Sequence, residues 1–398
     1  MRFCKQAIVF ALILAGSPAA AQQSDADAYT RYELLAPGTH KFRVLFEITA
    51  TRAGATRYYN PIRAGSVASD EKVTDRATGR PLPFREVEGS VAKAGGVGSA
   101  TPDSRYIEVT LPNPVAADGG EARLLIDKTY EDAKSYFSDG DQIVFDRSLG
   151  NKRNAVVLPR GYELVSVNVP AQVLEEADGR IKIAFWNDGA AAAPLVVRAR
   201  PVSIAAPPAT NPELSERAHQ DREIVYWLQD PATHSFALAH DYTESRVGVG
   251  TYVNVVRAGS TVSAPSARNL DTGAAIPFEL VNGRAAVLAA APEMRDVSED
   301  ASAVVFRFDP VKAGQSMRLR IAETYTDAER YRLEGSELIW RRSLGRPANA
   351  VVLPEGWVLT NSSVPATVRM DNGRVRLDFI NPRTDEIDTV ITARRRRS

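Results

Sequence analysis

The chain has 398 residues, of which 44% are hydrophobic and 25% are charged. This composition is typical of a globular protein and argues against a disordered one. Lys and Arg together number 49, as do Asp and Glu, so the formal net charge is zero. Because a nucleic-acid-binding surface needs a basic excess, we expect no nucleic-acid partner.

The first 21 residues have the pattern of a cleavable export signal. Arg2 and Lys5 give a positive start, residues 7–15 are apolar, and the three alanines at 19–21 supply a cleavage site. This apolar run is shorter than the roughly 20 residues of a membrane helix, and no other stretch approaches that length, so we expect no membrane span. The sequence therefore predicts a periplasmic or secreted protein, with a retained N-terminal anchor as the alternative.

The one cysteine, Cys4, lies inside the predicted signal. The mature chain would therefore contain no disulfide, no thiol nucleophile and no thiolate ligand for a metal ion. The sequence also contains no phosphate-binding loop, dinucleotide fingerprint or metallopeptidase helix motif. We predict that the protein binds no cofactor and no metal.

A long internal repeat organises the chain. Residues 27–89 align with residues 221–283 without a gap, and 23 of these 63 positions are identical. Because the period is far longer than that of a solenoid unit, we interpret the repeat as a duplicated domain. The predicted segments are a signal peptide at 1–21, a first repeat at 22–203, a linker at 204–220 and a second repeat at 221–398.

Alternating apolar and polar residues predict strands in both copies, as in residues 40–48 and 234–242. Residues 154–159 and their equivalents 349–354 form apolar runs, which predict fully buried strands. Turn pairs such as Asp139-Gly140 separate the strands at short intervals. The predicted fold class is all-β, with two homologous tandem antiparallel β-sandwich domains. The sequence leaves open whether each repeat forms one large sandwich or two small ones in series.

His40 and His234 occupy equivalent positions at the start of a predicted strand. A histidine there could act as a general base, since its ordinary pKa lies near 6.5. The alternative is a structural ring that bonds to a neighbouring turn, and the lack of a Gly-x-Ser-x-Gly nucleophile pattern favours it. His240 lies six residues beyond His234, about 20 Å along a strand, which is too far for a shared zinc ion.

The pattern Thr-Tyr-x-Asp-Ala-x-x-Tyr occurs in both copies and places an acid between two tyrosines. This group could form a shelf for a sugar or a peptide. Alternatively it is a structural corner, in which the aspartate bonds to loop amides or pairs with Arg147 or Arg342. The Arg-Ala-Gly-Ser segment is also kept in both copies. The candidate binding residues are His40, His234, Tyr130, Asp132, Tyr136, Tyr325, Asp327, Tyr331, Arg63 and Arg257.

Other polar residues kept in both copies include Tyr58 and Asn60, matched by Tyr252 and Asn254. A duplication preserves residues that hold the fold as well as residues of a site, so only their grouping in space separates the two roles. Clustering in an open cleft would favour an enzyme. Dispersal into hairpin corners would favour structural roles.

The sequence contains no catalytic constellation. Together with the predicted export and the repeat, this favours an exported, non-catalytic protein that presents binding surfaces to an envelope or extracellular protein or glycan partner. One alternative is a secreted or periplasmic hydrolase that uses His40 or His234 with nearby Asp and Tyr residues. Another is a structural component of an envelope assembly. The oligomeric state does not follow from the sequence.

Overall fold

The computed structural model describes residue 24 and residues 28–189, 191–202, 215–292, 294–295 and 297–396. The predicted export signal and residues 204–214 of the predicted linker lie outside these ranges. Within them the protein is nearly all-β and contains several sandwich-like sheets, as the alternating sequence pattern predicts. None of the helices in these ranges has the length and apolar composition needed to span a bilayer.

The first half, residues 28–202, consists of short strands joined by tight turns. In chain order its elements are β1 (Tyr29–Leu34), β2 (Lys41–Ala50), β3 (Arg57–Ile62), β4 (Val67–Asp75), β5 (Phe84–Glu88), α1 (Gly89–Ala94), β6 (Arg105–Thr110), β7 (Ala122–Glu131), β8 (Tyr136–Asp139), β9 (Gln142–Leu149), β10 (Arg153–Val157), β11 (Tyr162–Val167), β12 (Gln172–Glu175), β13 (Ile181–Trp186) and β14 (Ala193–Pro201).

The second half, residues 215–396, has a corresponding series of elements with one additional two-residue strand. In chain order they are β15 (Glu223–Leu228), a 3-10 turn (Pro231–Thr233), β16 (Ser235–Glu244), β17 (Thr251–Val255), β18 (Thr261–Asn269), β19 (Ala275–Ile276), β20 (Phe278–Asn282), α2 (Arg284–Ala290), β21 (Ser302–Arg307), β22 (Met317–Thr326), β23 (Tyr331–Glu334), β24 (Glu337–Leu344), β25 (Ala348–Val352), β26 (Trp357–Ser362), β27 (Thr367–Asp371), β28 (Arg374–Ile380) and β29 (Ile387–Arg395).

Both halves have the same sheet topology. In the first half a large sheet has the order β12-β13-β10-β1-β2-β7-β4, and two smaller sheets have the orders β11-β14-β9-β8 and β3-β6-β5. In the second half the corresponding orders are β27-β28-β25-β15-β16-β22-β18-β19, β26-β29-β24-β23 and β17-β21-β20.

The sheets are antiparallel, as predicted, except that β1 pairs with β10 and β15 pairs with β25 in parallel. Parallel neighbours need a long crossover connection, and seven or more strands separate these partners along the chain. All five residues of β10 are buried, as the apolar run at 154–159 predicts. Strands covered on both faces read as continuous apolar runs, which explains the pattern.

The two smaller sheets lie side by side on one face of the large sheet. In the first half, Phe42 of β2 packs against Phe145 of the four-stranded sheet at a ring-centroid distance of 5.3 Å. Farther along the same face, Ile48 belongs to the core that Ile107 of the three-stranded sheet covers. Each half is therefore one large sheet covered by two small ones, an arrangement between the two alternatives that the sequence left open.

The core is divided differently in the two halves. In the first half Phe46 belongs to one core cluster that extends under both smaller sheets. The second half has His240 at this position, and its core consists of two clusters, one around Trp340 and one around Phe306. His240 thus places a polar ring between the two clusters, and Val262 packs against both of them.

The two halves contact each other through equivalent segments. The amide of Glu121 donates to the carbonyl of Leu270 at 3.1 Å, and the amide of the equivalent Ser316 donates to the carbonyl of Ala77 at 3.3 Å. Each half thus places the turn after β4 or β18 against the other half, as in an isologous dimer interface. Gly79 lies in one such turn with φ of 71°, and a Cβ there would collide with the backbone of Gly314.

A buried ion pair crosses this interface. The Arg123 guanidinium donates to both carboxylate oxygens of Asp271, at 2.6 and 2.9 Å, and also to the Ser316 hydroxyl at 3.1 Å. The Arg123 and Asp271 side chains are 5% and 9% exposed. A bidentate pair of this kind has a fixed geometry, so it specifies how the halves dock.

Removing one partner of this pair is expected to leave a buried, uncompensated charge. We predict that Asp271→Asn lowers the free energy of unfolding by about 3 kcal/mol, measured by chemical denaturation. The matched control is Asp118→Asn, because Asp118 is 65% exposed and lies 3.7 Å from Arg268. The control is expected to cost less than about 1 kcal/mol. Equal effects of the two substitutions would contradict a specifying role for the buried pair.

Candidate binding clefts

A cleft opens in each half between the two smaller sheets, with the large sheet as its floor. The first cleft encloses about 620 Å³ and is lined by side chains of β1, β2, β3, β7 and β9 with adjoining loop residues. The second cleft encloses about 440 Å³ and is lined mainly by the equivalent strands, β15, β16, β17, β22 and β24. Volumes of this size are typical of ligand sites in proteins.

Five equivalent polar side chains line both clefts, in addition to Tyr32 in the first cleft and its equivalent Tyr226 in the second. In the first cleft they are Tyr58, Asn60, Arg63, Tyr130 and Arg147. Their equivalents in the second cleft are Tyr252, Asn254, Arg257, Tyr325 and Arg342. The strand period explains the convergence, because side chains two residues apart on a strand point to the same face. We call these five positions the shared frame.

A buried lysine distinguishes the first cleft. Lys128 is 3% exposed, and its Nζ donates to Asn60 Oδ1 at 2.5 Å and lies 4.7 Å from the Tyr130 ring centre. Within the described ranges no carboxylate lies close enough to form an ion pair with it. Burial lowers the pKa of Lys128 to about 7, with a smaller opposing effect from Glu71 and a further lowering by the charge of Arg147.

In the first cleft, contacts with aromatic rings and with a carboxylate hold the arginine of the shared frame in place. The Arg147 guanidinium lies 5.3 Å from the ring centre of Phe42 and 5.4 Å from that of Tyr130. Its Nη1 donates to Asp132 Oδ2 at 3.0 Å and to the Ser135 hydroxyl at 3.1 Å. Arg147 is therefore fixed between aromatic rings and a carboxylate, and its position is set before any ligand arrives.

The second cleft has a buried glutamate where the first has Lys128. Glu323 is 2% exposed; its Oε2 accepts from Asn254 Nδ2 at 2.5 Å, while Oε1 has no partner among the described residues. Burial raises the pKa of Glu323 to about 7, against the smaller effects of hydrogen bonds from Asn254 and Tyr325. The equivalent position thus carries opposite charge in the two clefts.

His240 is the second difference between the clefts. Its Nδ1 lies 3.0 Å from the Tyr252 hydroxyl, and its Nε2 is buried without a partner in the described ranges. Burial, followed by the charge of Arg346, lowers the pKa of His240 to about 3, so the ring is neutral at ordinary pH. His240 pairs across the sheet with Ile321, two residues from Glu323, which makes His240 and Glu323 diagonal neighbours on one face.

Of the candidate residues predicted from sequence, Arg63 and Tyr130 line the first cleft, and Arg257 and Tyr325 line the second. The other six do not line a cleft and lie at hairpin corners: His40, Asp132, Tyr136, His234, Asp327 and Tyr331. The polar residues kept in both copies therefore divide into a cleft group and a corner group.

Each of the two histidines connects one hairpin to another by a hydrogen bond from its ring. His40 has a left-handed φ of 57°, and its Nδ1–H donates to the Tyr136 carbonyl at 2.9 Å. The Tyr136 hydroxyl donates in return to the Leu35 carbonyl at 3.0 Å. His234, with φ of 53°, makes the same ring contact to the Tyr331 carbonyl at 2.8 Å. These contacts match the structural alternative for the histidines.

The aspartates of the corner group accept several hydrogen bonds each. Asp132 accepts from the hydroxyls of Ser66 and Ser135 at 3.1 and 2.8 Å, and these bonds lower its pKa against the effect of burial. Asp327 accepts from the Ser260 hydroxyl at 2.7 Å and pairs with Arg330 at 3.0 Å. The predicted pairing of the aspartate with Arg147 occurs in the first half, whereas in the second half the ion-pair partner is Arg330.

Lys128 and Glu323 were not among the residues predicted from sequence, although a signal was present. On β7 the residues Leu124, Ile126 and Tyr130 alternate on the buried face, and Lys128 falls in the same register. A charged residue in an otherwise apolar alternation marks a position where burial must be compensated. The pattern thus points to a site, which strand pairing then places in the cleft.

No group of three or more His, Cys, Asp or Glu side chains able to hold a metal ion occurs among the described residues. No protein-family model matches this sequence, and no curated protein matches it either.

Several solved structures show weak similarity to the chain. An M1 zinc metallopeptidase from Deinococcus radiodurans is 12% identical over 44% of this chain and 41% of its own length, with a TM-score of 0.30. A putative protease from Parabacteroides distasonis is 11% identical over 93% of this chain and 92% of its own, with a TM-score of 0.26. A collagen adhesin from S. aureus is 9% identical over 78% and 81%, with a TM-score of 0.16. Similarity at this level assigns no activity to the chain.

The buried lysine is expected to cost stability in a pH-dependent way. Its pKa falls from 10.5 in the unfolded chain to about 7 in the folded protein. Above pH 10.5 it is neutral in both states, and as the pH falls toward 7 the unfolded chain binds a proton that the folded protein does not, so stability declines.

We therefore predict that Lys128→Met raises the free energy of unfolding at pH 7 by on the order of 3 kcal/mol, and that this gain disappears near pH 10.5. Chemical denaturation at several pH values measures it. Lys93→Met, at an exposed position of α1, is the control and is expected to give no pH-dependent gain. A loss of stability in Lys128→Met at pH 7 would contradict the uncompensated burial of the lysine.

Proposed function

We propose that this protein is an exported, non-catalytic binding protein whose two clefts hold groups of an envelope or extracellular protein or glycan partner. One observation carries the proposal: five polar and aromatic positions, the shared frame, line an open cleft at the same place in both halves. The charged side chains beneath this frame differ between the halves, whereas the frame itself does not.

The chemistry of the shared frame supports binding. Tyrosine and arginine combine large contact area with hydrogen-bonding groups and are enriched where proteins bind ligands and partners. Arg147 and Arg342 are both stacked between aromatic rings, with Arg342 at 5.1 Å from the Tyr226 ring and 5.6 Å from the Tyr325 ring. Side chains held in this way lose little conformational freedom on binding.

The interface between the halves gives the doubling a physical use. The ion pair between Arg123 and Asp271, together with the amide contacts beside it, holds the clefts in one relative geometry. A partner that engages both clefts would therefore bind the second one at a high effective concentration.

A hydrolase is a second candidate, and one observation favours it. Glu323 and His240 are buried neighbours, and each has a polar atom without a partner among the described residues. A carboxyl group with a pKa of about 7 is suited to proton transfer near neutral pH. In this candidate the reacting residues are Glu323 and His240 of the second cleft. They replace His40 and His234, whose rings bond to carbonyl groups at hairpin corners.

The binding proposal predicts that cleft tyrosines matter and corner tyrosines do not. The intact chain is screened on arrays of glycans and of envelope and extracellular proteins, and the affinity for any hit is then measured. We expect Tyr58→Ala or Tyr252→Ala to weaken binding by about tenfold or more, since each removes an aromatic ring from the lining of a cleft. Because Tyr58 is 1% exposed, the affinity of Tyr58→Ala is compared at equal concentrations of folded protein.

The control for this experiment is Tyr136→Phe, which removes only the corner hydrogen bond to Leu35 and is expected to leave the affinity unchanged. The double variant at both cleft tyrosines is expected to abolish binding. An array without any hit, or a hit bound equally well by the folded double variant, would overturn the proposal.

The hydrolase candidate predicts a different pattern. A screen of ester, peptide and glycoside substrates should then show turnover that falls at least about 100-fold in Glu323→Gln and in His240→Ala. Activity should be retained in Lys128→Met, which changes only the first cleft. A flat screen, or turnover indifferent to both second-cleft substitutions, would remove this candidate.

A further inference from the structure

We propose that the first cleft is a carboxylate-binding site for an acidic glycan, with Lys128 as the group that recognises the charge. The inference rests on the proposed binding function and specifies the ligand class of one of its two clefts. Three features of the first cleft support this assignment: the charge of its lining residues, the unused donors of Lys128 and Asn60, and a proline in the neighbouring strand β3.

The lining of the first cleft has one sign of charge. Arg63, Lys128 and Arg147 all contribute to it, and the described residues that line it include no Asp or Glu. Arg147 already has Asp132 as a partner behind the cleft wall. Arg63 is exposed at the rim; among the described residues its guanidinium donates one long hydrogen bond, 3.5 Å to the Ser148 carbonyl. The compensating negative charge is therefore absent from the side where a ligand enters.

Lys128 is the centre of this charge. An ammonium group has three donors, and among the described residues only one of them has a hydrogen-bond partner, Asn60 Oδ1 at 2.5 Å. Because Asn60 turns its oxygen to the lysine, its Nδ2 group is left as a second donor beside it. A buried cation with one neutral acceptor destabilises the fold, and a bound carboxylate would supply the missing charge and acceptors.

The charged groups around Lys128 favour the binding of an anion. Arg147 on β9 and Arg63 after β3 add positive charge, and Tyr130 on β7 presents its ring. The one acid with a resolved influence is Glu71 on β4, whose effect on Lys128 is smaller than that of burial. A ligand carboxylate in the cleft would thus meet a positive potential in a partly desolvated site.

The shape of the cleft favours a glycan over a peptide. Its walls include the largely buried rings of Tyr32, Phe46, Tyr58 and Tyr130, which give the cleft an aromatic lining suited to the apolar faces of sugars. A peptide would most simply add to the exposed edge of β3, but Pro61 lies in that strand and lacks an N–H. The enclosed volume of about 620 Å³ is that of a short oligosaccharide site.

The second cleft provides an internal contrast. Glu323 stands at the position of Lys128, and the lining contains Asp385 and Glu386 as well as Arg257, Arg342 and Arg346. Since like charges repel, the carboxylates are expected to make this cleft bind the same ligand more weakly than the first cleft does. The shared frame is present in both clefts, so a difference in binding would report the buried charge and not the frame.

The test uses the full chain and trigalacturonic acid as the probe, with its methyl ester as an uncharged match and a triglutamate peptide as a second anion. Isothermal titration calorimetry is expected to detect binding of the acid. The affinities for the ester and for the peptide are expected to be at least about 30-fold lower. Lys128→Met should lower the affinity for the acid by about 30-fold or more, whereas Lys128→Arg should keep part of that affinity. Lys93→Met, at an exposed position of α1 outside both clefts, is expected to change nothing.

A pH series separates charge recognition from a merely structural role of Lys128. The site must be protonated to bind, and the pKa of Lys128 is about 7, so the affinity is expected to fall by up to about tenfold per pH unit above pH 7. Lys128→Met should remove this dependence. Binding should take up protons in wild type alone, read from titrations in buffers of different ionisation enthalpy.

The outcomes separate this inference from the proposed function. Equal affinity for the acid and its ester, or preference for the peptide, overturns the inference while leaving a binding protein. Acid binding that is unaffected by Lys128→Met and lacks the pH dependence overturns it as well. Failure of the array screen described above overturns the proposed function itself.

Discussion

The structure depends on one packing constraint: the buried face of each large sheet is covered by two smaller sheets that do not meet. Alternating strands present a continuous apolar face from one end of β2 to the other. The four-stranded sheet covers one end and the three-stranded sheet covers the other, and a narrow cleft lies between them over the middle of that face. The cleft follows directly, because side chains aimed at the gap have no sheet above them.

The corner group makes this arrangement rigid. His40 and Tyr136 fasten the turn after β1 to the start of β8, while Asp132 accepts from the serine after β3 and holds Arg147 on β9. One carboxylate thus ties elements of all three sheets together at the edge of the cleft. The residues outside the clefts therefore bear on the geometry inside them, although they do not line them.

The two halves use the same frame with different chemistry. A lysine in one cleft and a glutamate in the other each sit buried on the same strand position, next to an asparagine that bonds to it. Burying either charged side chain without an ion-pair partner lowers the free energy of unfolding. The large cores under the smaller sheets and the buried ion pair between the halves supply the stability that makes such positions tolerable.

The sequence by itself determined the all-β class, the buried strand at 154–159 and the recurrence of one pattern along the chain, because strand alternation and turn pairs are local signals. It also nominated Arg63, Tyr130, Arg257 and Tyr325, which line the clefts. Only the tertiary structure decided that Lys128 lines a cleft with Glu323 buried at the equivalent position, that His40 and His234 are bonded at corners, and that β1 pairs in parallel with β10. These outcomes depend on which sheets pack together and where the gap between them falls, and contacts between residues so distant in the chain leave no local pattern to read.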